Sequence, residues 1–190
     1  MGDFFLKLKG GIKGVVFRIV PIIKMSELSK SIGNPYSEFD DKYGIVFLHI
    51  PKTAGSALLK HAFDSEHNGH YRPVHYYDYS ASKFLSYKKI AVVRNPWDRI
   101  VSAFHYLKQD VGGGKYALKF AQEWLGDIDK FEDFILRMQS DVKFRFAMLK
   151  WDHFRPQWDF ISYNGVYCVD LLGRYEDIDG FYSVLCAELG

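Results

Sequence analysis

The sequence is poor in cysteine, in net charge and in long apolar runs, and each shortage excludes something. Its two cysteines, Cys168 and Cys186, are too few for a disulfide framework, and neither falls in a metal-ligand spacing. They read as reduced thiols in a reducing compartment, with one optional bridge between them as the alternative. The 25 basic and 23 acidic residues leave a net charge of +2, too little for bulk nucleic-acid binding, so any anion site has to be local. No apolar stretch reaches the roughly 18 uninterrupted residues of a membrane-spanning helix. A secretory signal is not expected either. Arg18 and Pro21 interrupt the most hydrophobic part of MGDFFLKLKGGIKGVVFRIVPIIKM, and no small-residue cleavage site follows. The Met1-Gly2 start fits an acylation signal except that Leu6 stands where serine or threonine is wanted.

What remains is one domain of ordinary hydrophobic content, preceded by an arm. Residues 1–40 read as a basic amphipathic arm and polar linker, and residues 41–190 as the domain. The arm either rests on an anionic membrane surface or packs on its own domain. The expected location is accordingly cytoplasmic, or peripheral to the inner face of the membrane. Aromatic residues make up 17% of the chain, with many in the C-terminal half. They imply a ring-rich core, or a pocket that stacks on flat or sugar-like ligands.

Alternating periodicities give the fold class. IVFLHI and KKIAVV are short, nearly continuous apolar runs of the kind buried on both faces of a sheet, and YCVDLL is a third strand candidate. SALLKHAF, RIVSAFHYL, KYALKFAQEWL, KFEDFILRM and DIDGFYSVLCAEL carry helical spacing. GGG from Gly112 to Gly114 breaks one helix from the next. EHNGHYRPVHYYDYS reads as loop, and WDHFRPQWDFI as irregular. The expectation is an α/β protein with a P-loop-like parallel sheet flanked by helices.

Two strand-to-helix turns carry the chemistry. In the first, PKTAGS, backbone N–H groups and a helix N-terminus converge where an anion would be favoured. Gly55 lets the backbone approach closely, Ser56 can cap or donate, and Lys52 adds a full charge. Unlike the nucleotide P-loop, the lysine here precedes the glycine. The bland reading is an ordinary connection with a lysine pointing at water. In the second turn, RNPWDR, Arg94 ends a strand at the sheet edge where ligands collect, and Pro96 suits the first helical turn. Asp98 can cap or favour the dipole, and Ser102 can point back toward Arg94. Arg99 reads as the structural partner of an acidic group. Two anion receptors at one sheet edge call for a ligand with two anionic groups.

At these residues the chain resembles the sulfotransferases that use 3′-phosphoadenosine 5′-phosphosulfate (PAPS). The likeness is to the carbohydrate-type branch with heparan 2-O- and chondroitin-type enzymes and bacterial relatives. His49 to Ser56 matches that family's HIPKTAG(T/S) turn, which holds the 5′-phosphosulfate. Val93 to Arg99 with Ser102 matches its VRNP(Y/W)DR…S segment, which holds the 3′-phosphate. HFRPQWDFI and LLGRYED resemble its PQ segment and a later Arg-x-Glu element, here Arg174 and Glu176.

The resemblance implies PAPS as donor, its desulfated product PAP, no metal, and a carbohydrate or glycolipid acceptor. Pro51, Lys52, Thr53, Ala54, Gly55 and Ser56 would wrap the 5′ end, and Arg94 and Ser102 would grip the 3′-phosphate. Lys52 would stabilise charge on the leaving phosphate. A histidine between the two blocks would be the base: His75 first, then His70, then His67, with Glu66 as the acidic alternative. His153, Arg155, Gln157 and Trp158 are the expected acceptor contacts, with Trp151, Phe154 and Trp158 as core residues in the alternative, and His105 is structural or lies beside the cofactor. Family members close the cofactor site with a further C-terminal segment, which is expected to be missing or shortened in a chain ending at Gly190. Competing readings are a P-loop-like nucleotide kinase, which lacks a clear magnesium-binding acidic motif here, and a non-catalytic, membrane-associated nucleotide-binding protein.

Overall fold

The computed structural model describes residues 33–65, 69–109 and 114–189. The basic arm, Glu66 and His67 lie outside the described residues. Three strands, β1 (Ile45–Leu48), β2 (Lys88–Val93) and the strand Leu171–Arg174, form a parallel sheet with Lys88–Val93 in the middle. Apolar side chains alternate across it. Ile45, Phe47, Ile90 and Val92 face one layer, while Val46, Leu48 and Ala91 face the other. Burial on both faces is what the unbroken apolar runs require.

On the first face lie α1 (Glu38–Tyr43), α2 (Gly55–Phe63) and the C-terminal helix Ile178–Leu189. Gly173 makes room there, because a Cβ at that position would lie 2.4 Å from the Phe181 ring. On the second face lie α3 (Pro73–Tyr79), α4 (Ala81–Ser86) and a short helix, Trp158–Ile161. A third, all-helical cluster is built from α5 (Pro96–Lys108), α6 (Gly114–Leu125), α7 (Phe131–Ser140) and α8 (Val142–Lys150) around Phe104, Phe134 and Phe144. In chain order the remaining elements are α9 (Trp158–Ile161), a small hairpin of β3 (Ser162–Tyr163) and β4 (Val166–Tyr167), β5 (Leu171–Arg174), and α10 (Ile178–Leu189).

Several expectations shift. PVHYYDY is a helix rather than loop, with Pro73 in its first turn and the Arg72 N–H donating 3.1 Å to His75 Nδ1. The third strand begins at Leu171, four residues later than YCVDLL suggests, because Val166 and Tyr167 belong to the hairpin. The packed domain also takes in the end of the expected linker. Tyr36 and Phe39 are buried, and Ser37 and Asp40 form a capping box at the start of α1. Asp40 accepts from the Phe47 N–H at 3.2 Å and so docks α1 on the edge of β1, and burial raises its carboxyl pKa. No helix among the described residues is long and apolar enough to cross a membrane.

Candidate active site

Parallel strands end together, so the three turns after β1, β2 and β5 share one edge of the sheet. After β1 the chain runs through PKTAGS into α2. Lys52 and Ala54 have φ of 67° and 64°, a left-handed conformation that non-glycine residues adopt at a cost of about 1–2 kcal/mol each. Such alternation turns backbone N–H groups into a concave anion receptor. Thr53 is buried, and its hydroxyl donates to the Ile50 carbonyl at 2.9 Å, so it pins the turn from below. Gly55 is required for close packing, since a Cβ there would lie 2.3 Å from His49 Cδ2 and 2.8 Å from His49 Nε2.

Arg99 holds this turn from α5. Its guanidinium is buried, and its Nε donates to the Pro51 carbonyl at 3.0 Å. Its Nη1 donates to the Arg155 carbonyl at 3.0 Å and its Nη2 to the Asp152 carbonyl at 3.2 Å. The expected acidic partner is thus replaced by three carbonyls, which tie the lysine turn to the loop before α9. Burial alone lowers its pKa to about 10, and it stays ionised at neutral pH.

After β2, Arg94 lies beside the lysine turn. Its Nη1 donates to the Lys52 carbonyl at 3.3 Å, and its guanidinium lies 4.1 Å from the centre of the Tyr175 ring. Its buried Nε has no partner among the described residues, which leaves one donor for an anion. Gln157 fixes the Arg94 backbone, accepting from its N–H at 2.9 Å and donating to its carbonyl at 2.8 Å. With both ends of the amide engaged, Gln157 supports the cation turn rather than reaching toward an acceptor. Asn95 caps α5 by accepting from the Trp97 N–H at 2.9 Å, whereas Asp98 is exposed.

Two cavities flank this edge. One, of about 630 Å³, is lined by Lys52, Gly55, Ser56, His70, Tyr106 and His153, with Pro51, Ala54, Tyr116 and Asp152 also on its wall. The other, of about 410 Å³, is lined by Val93, Arg94, Asn95, Pro96, Leu172, Arg174 and Glu176. Glu176 accepts from the Asn95 N–H at 2.6 Å, so its carboxylate is engaged by backbone. Ser102 is half-buried on α5 and borders neither cavity.

In the larger cavity, the Lys52 ammonium sits 4.1 Å above the Tyr106 ring. Burial and then the neighbouring Arg94 charge lower its pKa. No carboxylate among the described residues pairs with it. His153 stacks on Tyr106 with ring centres 5.1 Å apart and meets His70 edge-on at 5.5 Å. Burial, reinforced by the cations around it, drives its pKa down to about 3, so it is a neutral imidazole at pH 7. His70 Nδ1 lies 3.3 Å from the His49 carbonyl.

The remaining expected residues are distributed unevenly. His75 does not border the cavity: its Nδ1 caps α3, and burial beside Arg72 lowers its pKa to about 4. His70, ranked below it from sequence, is the one that lines the cavity with Lys52. Arg155 is engaged by Asp152, Asp159 and the Lys150 carbonyl. Trp158 is half-exposed on α9, and His105 is exposed on α5. Tyr106, Tyr116 and Asp152 fall in none of the matched motifs, and Tyr175 enters only as the middle residue of the Arg-x-Glu element. The one hint toward Tyr106 is its place on α5, the helix that follows the RNPWDR turn.

The pair of left-handed residues, the partnerless Arg94 Nε and the carboxylate-free Lys52 all fit a ligand with two anionic ends. A family model described as Sulfotransferase family matches residues 37–183, about three-quarters of the chain. No curated protein and no solved structure gave a match.

Proposed function

The chain belongs to the sulfotransferase family and is a sulfuryl-transferring enzyme, and from that premise we propose PAPS as its donor and a carbohydrate or glycolipid hydroxyl as its acceptor. The observation that carries this reading is the contact between Arg94 and the Lys52 turn, which sets two cations from different strand ends side by side. A ligand charged at one end only would leave one of them desolvated and uncompensated.

The donor, when bound, supplies an activated sulfuryl group on a nucleotide phosphate. The PKTAGS backbone and Lys52 hold its 5′ end, and Arg94, with Arg174 in the same groove, holds its 3′-phosphate. Lys52 stabilises the negative charge that grows on the leaving oxygen. Its partial burial strengthens that interaction, because less water screens it. His70 is the base that geometry favours. Its Nδ1–H donates to the His49 carbonyl, which orients the imidazole that would take the acceptor's proton. The fixed Arg99 and Gln157 bonds keep both cation turns in place, so positioning rather than covalent chemistry does most of the work.

Transfer of radiolabelled sulfate from PAPS to a panel of glycans and glycolipids tests the reading. His70→Ala is expected to lose about 100- to 10,000-fold in turnover, while PAP still binds. Stabilisation by ATP but not by PAP, with no transfer to any acceptor, would point to a nucleotide kinase instead.

A further inference from the structure

The larger cavity has a charge pattern that bears on the acceptor. Its inner end holds Lys52, Gly55 and His153, all half-buried or buried. Its mouth is marked by Tyr116, a residue 86% exposed, and by Asp152, whose side chain is 44% exposed. Lys52 and Asp152 are the only lysine, arginine or acidic side chains among the described residues lining it. Among the described residues, the arginines near the mouth are already engaged. Arg155 is held by Asp152, Asp159 and a carbonyl, and Arg99 by three carbonyls. Arg72 sits beside His75 in the field of Asp152 and Asp159. Lys115, the neighbour of Tyr116 in sequence, does not border the cavity.

A chain of uronates or sulfated sugars needs unengaged arginines or lysines along its path. This mouth instead offers a carboxylate, paired with Arg155 through one oxygen and able to accept from hydroxyls, and an exposed ring that can cover the apolar face of a sugar. We propose that the mouth between Tyr116 and Asp152 selects an uncharged sugar as acceptor and turns away polyanionic chains. The selection rests on the assignment of the cavity to sulfuryl transfer, and it names the acceptor class that the fold and family leave open. Asp152 is the discriminating group: by pairing with Arg155 at 3.2 Å it keeps that guanidinium from an anionic chain, while its exposed side accepts from sugar hydroxyls. Tyr116 is the contact that orients the ring.

The full-length enzyme would be given lactose and an unsulfated glucuronate-containing oligosaccharide as alternative acceptors, with PAP affinity measured alongside by calorimetry. We expect kcat/KM at least tenfold higher for lactose, and a KM for lactose that does not change when salt is raised. Asp152→Asn should narrow the preference severalfold by improving the uronate acceptor. Tyr116→Ala, at an exposed position that will not disturb folding, should raise the KM for lactose about three- to tenfold with PAP affinity unchanged. With PAP binding intact, equal or better use of the uronate chain, or use of neither acceptor, overturns the proposal. Loss of PAP binding in the unmodified enzyme would overturn the sulfuryl-transfer reading itself.

Discussion

Replacing Arg99 by methionine tests how the fold holds the site. The side chains are of comparable length, so packing is largely kept, but three hydrogen bonds of 3.0, 3.0 and 3.2 Å disappear. The Pro51, Arg155 and Asp152 carbonyls lose a charged donor in a buried place, at about 1–3 kcal/mol for each acceptor left unpaired. Part of that loss is offset because a guanidinium need no longer be buried. A net destabilisation of about 3 kcal/mol follows, which for a chain of this size lowers Tm by roughly 6–12 °C. The Pro51 carbonyl is also the anchor of the lysine turn, so affinity for PAP should fall in the folded variant. Thermal unfolding followed by calorimetric titration reads both effects. A Tm within about 2 °C of the parent and an unchanged PAP affinity would refute the idea that Arg99 fastens the turn to the loop before α9.

Acid should destabilise the protein through its buried histidines. The folded His153 has a pKa of about 3 against an ordinary 6.5, so below pH 6.5 the unfolded chain takes up a proton that the folded chain refuses. Its contribution is present above pH 6.5 and lost on acidification toward pH 3, at about 1.4 kcal/mol per pH unit. His75, lowered to about 4, acts in the same direction. Urea unfolding at pH 6.5 and 5.0 should therefore show His153→Phe losing about 2 kcal/mol less than the parent, and an identical slope would contradict the assignment. Gly55→Ala should destabilise the fold by about 1–3 kcal/mol, because its Cβ must displace the His49 ring. Full stability in that variant would show that the α2 N-terminus has slack. Gln157→Leu leaves the Arg94 N–H and carbonyl unpaired and should weaken PAP binding without changing the KM for acceptor. The reverse pattern would return Gln157 to the acceptor side.

The sheet and the two cation turns were legible because each depends on local signals. IVFL and IAVV are apolar without interruption, and the turns after them gather glycine, proline, lysine and arginine within a few residues. The family resemblance at those turns agrees with the match over residues 37–183. Roles that depend on distant partners were not legible. Nothing in PVHYYDYS tells that His75 Nδ1 faces its own helix N-terminus, while His70, ranked below it, lines the same cavity as Lys52. Gln157 looks like a polar residue among aromatics, and only the approach of its loop to the end of β2 makes it a backbone clamp. Arg99 calls for a partner, yet charge pairing suggests a carboxylate where the fold provides carbonyls. Asp152 and Tyr116 are separated by some thirty-five positions, and meet at one opening because α6 and the segment after α8 both wall the cavity.

The central claim is that Lys52 and Arg94 serve one ligand with an anionic group at each end. Its most direct test is the affinity of the unmodified protein, Lys52→Ala and Arg94→Ala for PAP and for 5′-AMP, measured by calorimetry. The unmodified protein should bind PAP at least tenfold tighter than 5′-AMP, since one additional desolvated charge contact is worth 1.4 kcal/mol or more. Arg94→Ala should erase that preference, and Lys52→Ala should weaken both ligands while keeping it. Equal affinity of the unmodified protein for the two nucleotides, or a preference that survives Arg94→Ala, would contradict it.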